Sequence, residues 1–337
     1  MKSVVLFSKA AHIREYKYAL ALREYGKDYR LILIAYEVLV NYQFSDLFDD
    51  ILIYGPSGKR TWIAKKFARL LHRFDLYGLY LNKVLRYIRR FTPDIIHCFC
   101  SYSHENVHFL MRNLDIPFIY DGQDFLGITF GIENISKKQR IIEKYCFENA
   151  TGIIRKSSEY EIDFYRNLGY RITARELQFL PYCERKYFVN NRSKLSMQDG
   201  ELHLVYTGHV SFDPKKRYQY FIPLGRILSK QKIHLHLYSG VFKDMHNQSD
   251  SRYVEYYLEQ DKNNYFHLHC APYEDLAREI SIYDFGLSIH ENFPMPLWSK
   301  DKMKTSIGNK FFGYLEAGLP IIVSDHIEYN RVLVLQY

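Results

Sequence analysis

The sequence predicts an α/β protein built from two successive doubly wound parallel sheets. Three observations predict it. Short apolar runs alternate with amphipathic stretches along the chain, a polar stretch poor in apolar residues interrupts the series after residue 189, and 337 residues exceed what one hydrophobic core organises efficiently. Apolar residues make up 47% of the chain and are mixed with polar ones throughout, which is a globular composition rather than a disordered one.

Ser3–Phe7 (SVVLF) is an apolar run of strand length, Ile13–Tyr25 is amphipathic, and Arg30–Ala35 (RLILIA) is a second run. Strand, helix, strand is the unit that builds a parallel sheet. Asp50–Tyr54 (DILIY), Asp94–Cys98 (DIIHC), Pro117–Asp121 (PFIYD) and Thr151–Arg155 (TGIIR) continue the series, with helical patterns between them. Asn190–Glu201 (NNRSKLSMQDGE) is polar and closes on a turn dipeptide, so it reads as an interdomain linker. This places a first domain at 1–189, a linker at 190–201 and a second domain at 202–337. Strands of the second domain are expected at His203–Thr207, His234–Tyr238, Tyr265–His269, Phe285–Ile289 and Pro320–Ser324, with helices such as Tyr273–Ile282 between them. Ligands of such sheets sit beyond the carboxyl ends of the strands.

Composition excludes several classes. The longest apolar stretch, Leu31–Val40, is interrupted by Glu37 and is about half the roughly 20 residues of a membrane-spanning helix. The opening MKSVVLFSK has too short an apolar core for a signal peptide and lacks a small-residue cleavage site, so a cytoplasmic location is expected. The five cysteines, Cys98, Cys100, Cys146, Cys183 and Cys270, show neither a C-x-x-C pair nor a paired Cys/His ligand spacing. They read as reduced, mostly buried thiols, and no metal ligands are assigned.

The net charge of +8 is local: residues 59–90 hold ten Lys/Arg against one acid, Asp75. Within Arg60–Phe74, Trp62, Ile63, Phe67, Leu70, Leu71 and Phe74 fall at helical spacing among Lys65, Lys66, Arg69 and Arg73. Such a helix can lie on anionic lipid at the inner face of a membrane, or it can pack on the first domain with its charges in water. Nucleic acid is not an expected partner, because no RNA- or DNA-reading motif is present. GPSGKRT at Gly55–Thr61 lacks the spacing of a phosphate-binding P-loop and reads as a turn.

The strongest local signal is IGNKFFGYLEAGLPIIVSD, Ile307–Asp325. A helix opening near Asn309 ends at Gly318, and Pro320 starts a buried strand. Lys310 at the helix start adds side-chain charge to free backbone N–H groups, a combination suited to a diphosphate. This segment resembles the retaining GT-B glycosyltransferases, whose C-terminal domain carries the pattern N/P-K-x-x-E-Y-x-x-x-G-x-P-V-I. DIIHCF (94–99), IYDGQD (119–124), IIRKSSE (153–159), FLPY (179–182), LVYTGHVSFDPKKR (204–217) and YDFGLSI (283–289) occur in the family's order and extend the resemblance over most of the chain.

The resemblance implies a GT-B architecture, two Rossmann-like domains facing a central cleft, with an acceptor domain first and a nucleotide-sugar domain second. It implies that Gly208 and Lys215, flanked by Lys216 and Arg217, help Lys310 to hold the donor's phosphates, with His209 standing where the family has an arginine. The family's ribose-binding glutamate falls at Gly313, and Glu316, about one helical turn on, is the nearest acid. The glycine-rich loop after the first strand is absent, Ala10 and Ala11 standing in SKAAH, and the active-site histidine is replaced by Gln123. Asp124 and Glu291 are the acids expected to face the ligand, and His97 and His290 are placed at strand ends. Gln123, Asp124 and His97 are thus the catalytic candidates, and Gly208, His209, Lys215, Lys216, Glu291, Lys310 and Glu316 the donor-binding ones.

The implied function is transfer of a hexose or related sugar from a nucleoside-diphosphate sugar to a glycan or lipid-linked acceptor, with no cofactor and no required metal. Two alternatives stay open: a degenerate GT-B scaffold or binding subunit, favoured by Gln123 and Gly313, and a GT-B-like sugar-nucleotide epimerase. The chain stops at Tyr337, soon after the last expected strand, whereas GT-B chains usually continue into a helix that crosses back to the first domain. Either a truncated chain or less firmly joined domains is expected.

Overall fold

The computed structural model describes residues 2–26, 28–38, 44–55, 78–101, 103–179, 182–189, 193–215, 219–242, 251–289 and 298–336. The chain divides into two units, Met1–Leu180 with Leu297–Lys302, and Pro181–Pro296 with Met303–Tyr337. Each is organised around a parallel sheet flanked by helices.

The first unit holds β1 (Lys2–Ala11), β2 (Tyr29–Val38), β3 (Asp50–Ile53), β4 (Ile95–Ser101), β5 (Phe118–Asp124), β6 (Gly152–Arg155) and β7 (Arg175–Gln178). The sheet order is β3-β2-β1-β4-β5-β6-β7, and every pairing is parallel. Its strands are apolar on successive residues because helices cover both faces. Val5, Phe7, Ile32, Ile34 and Ile96 enter one core cluster, while Leu6, Leu31, Leu33 and Phe99 enter a second with Tyr16 and Ala19 of the helix Ile13–Tyr25. Cys98, Cys100 and Cys146 are buried free thiols.

The second unit holds β8 (Leu202–Thr207), β9 (Ile233–Tyr238), β10 (Phe266–His269), β11 (Phe285–Ser288) and β12 (Ile321–Val323), in the order β10-β9-β8-β11-β12 and again parallel. Its cores are rich in aromatic residues: Tyr206, Phe221, Phe242, Tyr253, Tyr256 and Phe266 on one side, Tyr187, Tyr238, Tyr283 and Tyr314 on the other.

One expectation changes, and one strand adds to those expected. The described part of the expected linker is docked on the second unit: Leu195 N–H donates to Ile282 O at 2.9 Å, Lys194 Nζ to Ser281 O at 2.7 Å, and Ser196 Oγ to Asp284 Oδ1 at 2.5 Å. Its polar side chains serve hydrogen bonds rather than mobility, and the division between the units falls at Leu180/Pro181. β7 (RELQ) carries no apolar run, because as an edge strand it needs only backbone pairing to β6.

The expected basic helix at 60–74 lies outside the described residues, as do residues 56–61 of the GPSGKRT turn. The helix Gly78–Phe91 that follows buries Leu81, Val84, Leu85 and Ile88 in the first core, and Lys83, Arg86, Arg89 and Arg90 are exposed. Among the described residues, no helix is long and apolar enough to cross a membrane.

Candidate functional site

In the second unit the strand order reverses between β8 and β11, the kind of point at which doubly wound sheets bind ligands. β8 ends at Thr207 and continues into Gly208, whose φ of 131° is readily open only to glycine. Gly208 N–H donates to Tyr238 O at 2.9 Å, while Tyr206 Oη donates to the carbonyl of exposed His209 at 3.0 Å. That same hydroxyl accepts from Lys310 Nζ at 3.2 Å, and the ammonium lies 4.3 Å from the Tyr206 ring centroid. A Cβ on Gly208 would lie 3.6 Å from Tyr206 Oη, so the Gly208 turn and the Lys310 charge are neighbours.

Burial pushes the Lys310 ammonium down to about 8, and an anion bound beside it would restore the charged form. Lys310 is the second residue of the helix Asn309–Glu316. That helix has Gly308 as N-cap, no side-chain cap and no acid in its first turn. Its opening amides and dipole therefore add positive potential at the end that bears Lys310. Ser288 Oγ, at the end of β11, is buried and finds no hydrogen-bond partner among the described residues. Lys215 is exposed in a turn after β8 that Asp213 Oδ1 closes by accepting from Lys215 N–H at 3.0 Å.

Glu316 is placed differently from expectation. It is the last residue of its helix and is buried; its Oε1 accepts from Glu184 N–H at 2.7 Å and its carbonyl from Val189 N–H at 3.0 Å. The carboxylate anchors the segment that enters the second unit and lies about 9 Å along the helix from Lys310. Lys216, Arg217, His290 and Glu291 lie outside the described residues.

In the first unit the candidates lie on β4 and β5. A Cβ on Gly122 would meet the Phe125 ring at 1.8 Å, so only glycine lets that ring close under the end of β5. Gln123 is buried, and its Nε2 finds no partner among the described residues; a carboxamide there can donate to a sugar hydroxyl. Asp124 Oδ1 accepts from Lys156 Nζ at 3.2 Å and also from Lys302 Nζ. Burial opposes ionisation of Asp124, but the Lys156 and Lys302 ammonium groups outweigh it and hold the carboxyl well below the usual carboxylate range. Asp124 is an anion at neutral pH and serves as the counter-charge of these two ammonium groups. Burial and the neighbouring Lys156 push Lys302 down to about 8.

His97 sits in the middle of β4 rather than at its end. Its Nε2 donates to Asp121 Oδ2 at 3.0 Å, and its ring stacks on Phe99 with centroids 4.2 Å apart. Asp121 Oδ1 accepts from Arg14 Nη2 at 2.6 Å, and all three side chains are buried. This arrangement braces β4, β5 and the start of the helix Ile13–Tyr25.

The spacing rules used on the sequence missed two features. Trp298–Lys302 returns to the first unit late in the chain, with Ser299 N–H donating to Thr129 O at 2.9 Å and Tyr160 Oη donating to Asp301 Oδ1. It brings the second cation to Asp124. The other feature is a lattice of five histidines on one face of β8, β9 and β10. The register sets His203 opposite His234 and His236 opposite His267. Alternation of H-x-H in β9 and β10 was the available signal, but only the register joins the strands.

Two hydrogen-bonded rows cross this lattice. One runs Asp199 Oδ2, His203, His236, His269 with contacts of 2.9, 2.9 and 3.0 Å; the other runs Glu201 Oε2, His234, His267 with contacts of 2.9 and 2.9 Å. Rings of adjacent rows stack, His203 on His234 at 4.3 Å and His236 on His267 at 4.4 Å. Burial and the surrounding rings hold His236 below the usual histidine range and push His267 to about 4.

No protein-family model matches the sequence, and no curated protein matches it. Solved structures do. HepE of Anabaena, determined with UDP-glucose, superposes with a TM-score of 0.62 at 12% identity, covering 96% of this chain and 80% of its own. WaaG, a glycosyltransferase involved in lipopolysaccharide biosynthesis, gives 0.60 at 11% identity over 98% of this chain and 83% of its own. Sucrose-phosphate synthase of Thermosynechococcus elongatus gives 0.59 at 14% identity over 96% and 81%. At these identities the likeness establishes the fold: α/β, with two parallel-sheet Rossmann-like domains as in the GT-B glycosyltransferases.

Proposed function

We propose that this chain is a glycosyltransferase of the retaining GT-B type, moving a hexose or related sugar from a nucleoside-diphosphate sugar to a glycan or lipid-linked acceptor. The observation that carries this reading is the cation site at the end of β8, where Lys310 rests on Tyr206 beside the Gly208 turn and an uncapped helix start. In the transfer, the bond from sugar C1 to the diphosphate oxygen breaks with its electron pair staying on the phosphate. The acceptor hydroxyl oxygen bonds to C1 and its proton is lost to a phosphate oxygen. The growing charge on the diphosphate is what the protein must stabilise. Lys310, the helix-start amides and Lys215 supply that in the second unit, with no divalent ion required for the reaction.

In the first unit, Gln123 offers an amide donor to a sugar hydroxyl, and Asp124 keeps Lys156 and Lys302 in place. We further propose that residues 59–90 meet an anionic membrane from the cytoplasmic side. Co-sedimentation with phosphatidylglycerol vesicles but not with phosphatidylcholine ones is the expected result, and equal recovery with both would refute it.

A second reading, a binding or scaffolding subunit without turnover, is favoured by Gln123 in place of histidine and by Gly313 in place of the ribose-binding glutamate. A Cβ at Gly313 would meet nothing within 4 Å, so the position is open rather than filled by another group. A nucleotide-release assay with UDP-, GDP- and ADP-sugars decides between the readings. Release that is at least tenfold slower in Lys310→Ala supports the transferase; donor binding without release supports the scaffold.

A further inference from the structure

We propose that the histidine lattice of β8–β10 is a binding site for one borderline divalent transition-metal ion of the zinc type, with His203, His234 and His236 as its ligands. One ring nitrogen from each of these three residues lies within 4.8 Å of the others. The site is separate in chemistry from the phosphate-binding reading, which uses none of these side chains.

The outer carboxylates prepare the ligands. Asp199 and Glu201 can only accept, so each fixes an Nε2–H, on His203 and His234 respectively. The Nδ1 lone pairs of both rings are thereby turned inward onto the neighbouring histidines, and carboxylate–imidazole pairs of this kind orient metal ligands and raise their basicity. Asp284 adds rigidity, because its Oδ2 accepts from His203 N–H at 2.8 Å and its Oδ1 from Ser196 Oγ in the short helix Ser196–Asp199.

His203 Nδ1 and His236 Nε2 are 2.9 Å apart with one proton between them. Zinc–nitrogen bonds of about 2.0–2.1 Å at tetrahedral angles set nitrogens roughly 3.3 Å apart. Replacing the shared proton by the ion therefore opens this pair by a few tenths of an ångström. His234 is stacked parallel to His203 and must turn about χ2, a soft torsion for imidazole, giving up its bond from His267.

No proton need leave the protein. As His236 Nε2 binds, its proton moves to Nδ1, and that of His269 moves from Nε2 to Nδ1, one nitrogen along the row. An all-imidazole set selects zinc, copper or nickel over magnesium or calcium. His234 and the carboxylates of Asp199 and Glu201 are partly exposed and give the ion a way in.

The test uses the full chain stripped with a chelator and titrated calorimetrically with Zn²⁺ at neutral pH. The expected result is saturable binding of one equivalent, weakened at least tenfold in His203→Gln and in His236→Gln and unchanged in His108→Gln, which alters a histidine of the first unit. X-ray absorption on the zinc-loaded wild-type chain does not depend on a variant folding, and three imidazole nitrogens in the coordination shell are expected. Absence of saturable binding, binding indifferent to His236→Gln in a folded variant, or a shell with fewer than three imidazoles overturns the proposal.

Discussion

Lys310 combines two demands. Its ammonium is buried enough to be pushed down to about 8, yet the proposed chemistry needs it charged. Below that value it is already a cation and an incoming diphosphate takes up no proton. Above it, binding must recharge the lysine, so affinity for a nucleoside diphosphate falls toward tenfold per pH unit. Calorimetry between pH 7 and pH 9.5 should show this loss, and Lys310→Arg, charged throughout, should flatten it.

Asp124 is the complementary case, one carboxylate held by two cations. Asp124→Asn leaves Lys156 and Lys302 close together without their counter-charge, and is expected to cost on the order of 3 kcal/mol, read as a lower urea midpoint at unchanged slope. Because the folded carboxyl titrates below its unfolded value, this stabilisation is present above the usual carboxylate range and is lost on acidification below it. The variant should lack that acid-sensitive component. The Lys310 site was legible from its place at a helix start, but the Asp124 pairing was not: Asp124 was readable as an acid near a ligand, and Lys302 reaches it from 178 positions away.

At the scale of elements, apolar runs marked β1, β2 and β4 because buried parallel strands covered on both faces are apolar on both, whereas β9 alternates leucine with histidine. The helix expected to open near Asn309 and end at Gly318 is Asn309–Glu316, with Gly318 at φ 66°. β7 was invisible, since RELQ at a sheet edge buries little. Tyr314 shows what ties these elements at the reversal point: its Oη accepts from Thr207 N–H at 3.0 Å and donates to Leu287 O at 2.9 Å, pinning β8 to β11 from inside the core. Tyr314→Phe leaves a buried amide without this partner, and a loss of about 1–3 kcal/mol in chemical denaturation is expected. The histidine lattice escaped notice for a related reason: metal-ligand spacing along one chain is a sequence pattern, whereas convergence across three strands is set by register.

Over the whole molecule, the alternation of strands and helices carried the two-sheet organisation, and superposition on HepE, WaaG and sucrose-phosphate synthase agrees with it. The division between the units was less legible, because polar composition marks docked caps as readily as linkers, as Lys194 and Ser196 show. Both sheets reverse their order at one point, between β1 and β4 and between β8 and β11. The phosphate-binding reading rests on the second of these. Titration of the intact chain with UDP-, GDP- and ADP-sugars at pH 7 tests it most directly. One nucleotide class should bind saturably, and Lys310→Ala should weaken that binding at least tenfold, about 1.4 kcal/mol. Silence toward every nucleotide, or binding by Lys310→Ala equal to that of the parent chain, would contradict it.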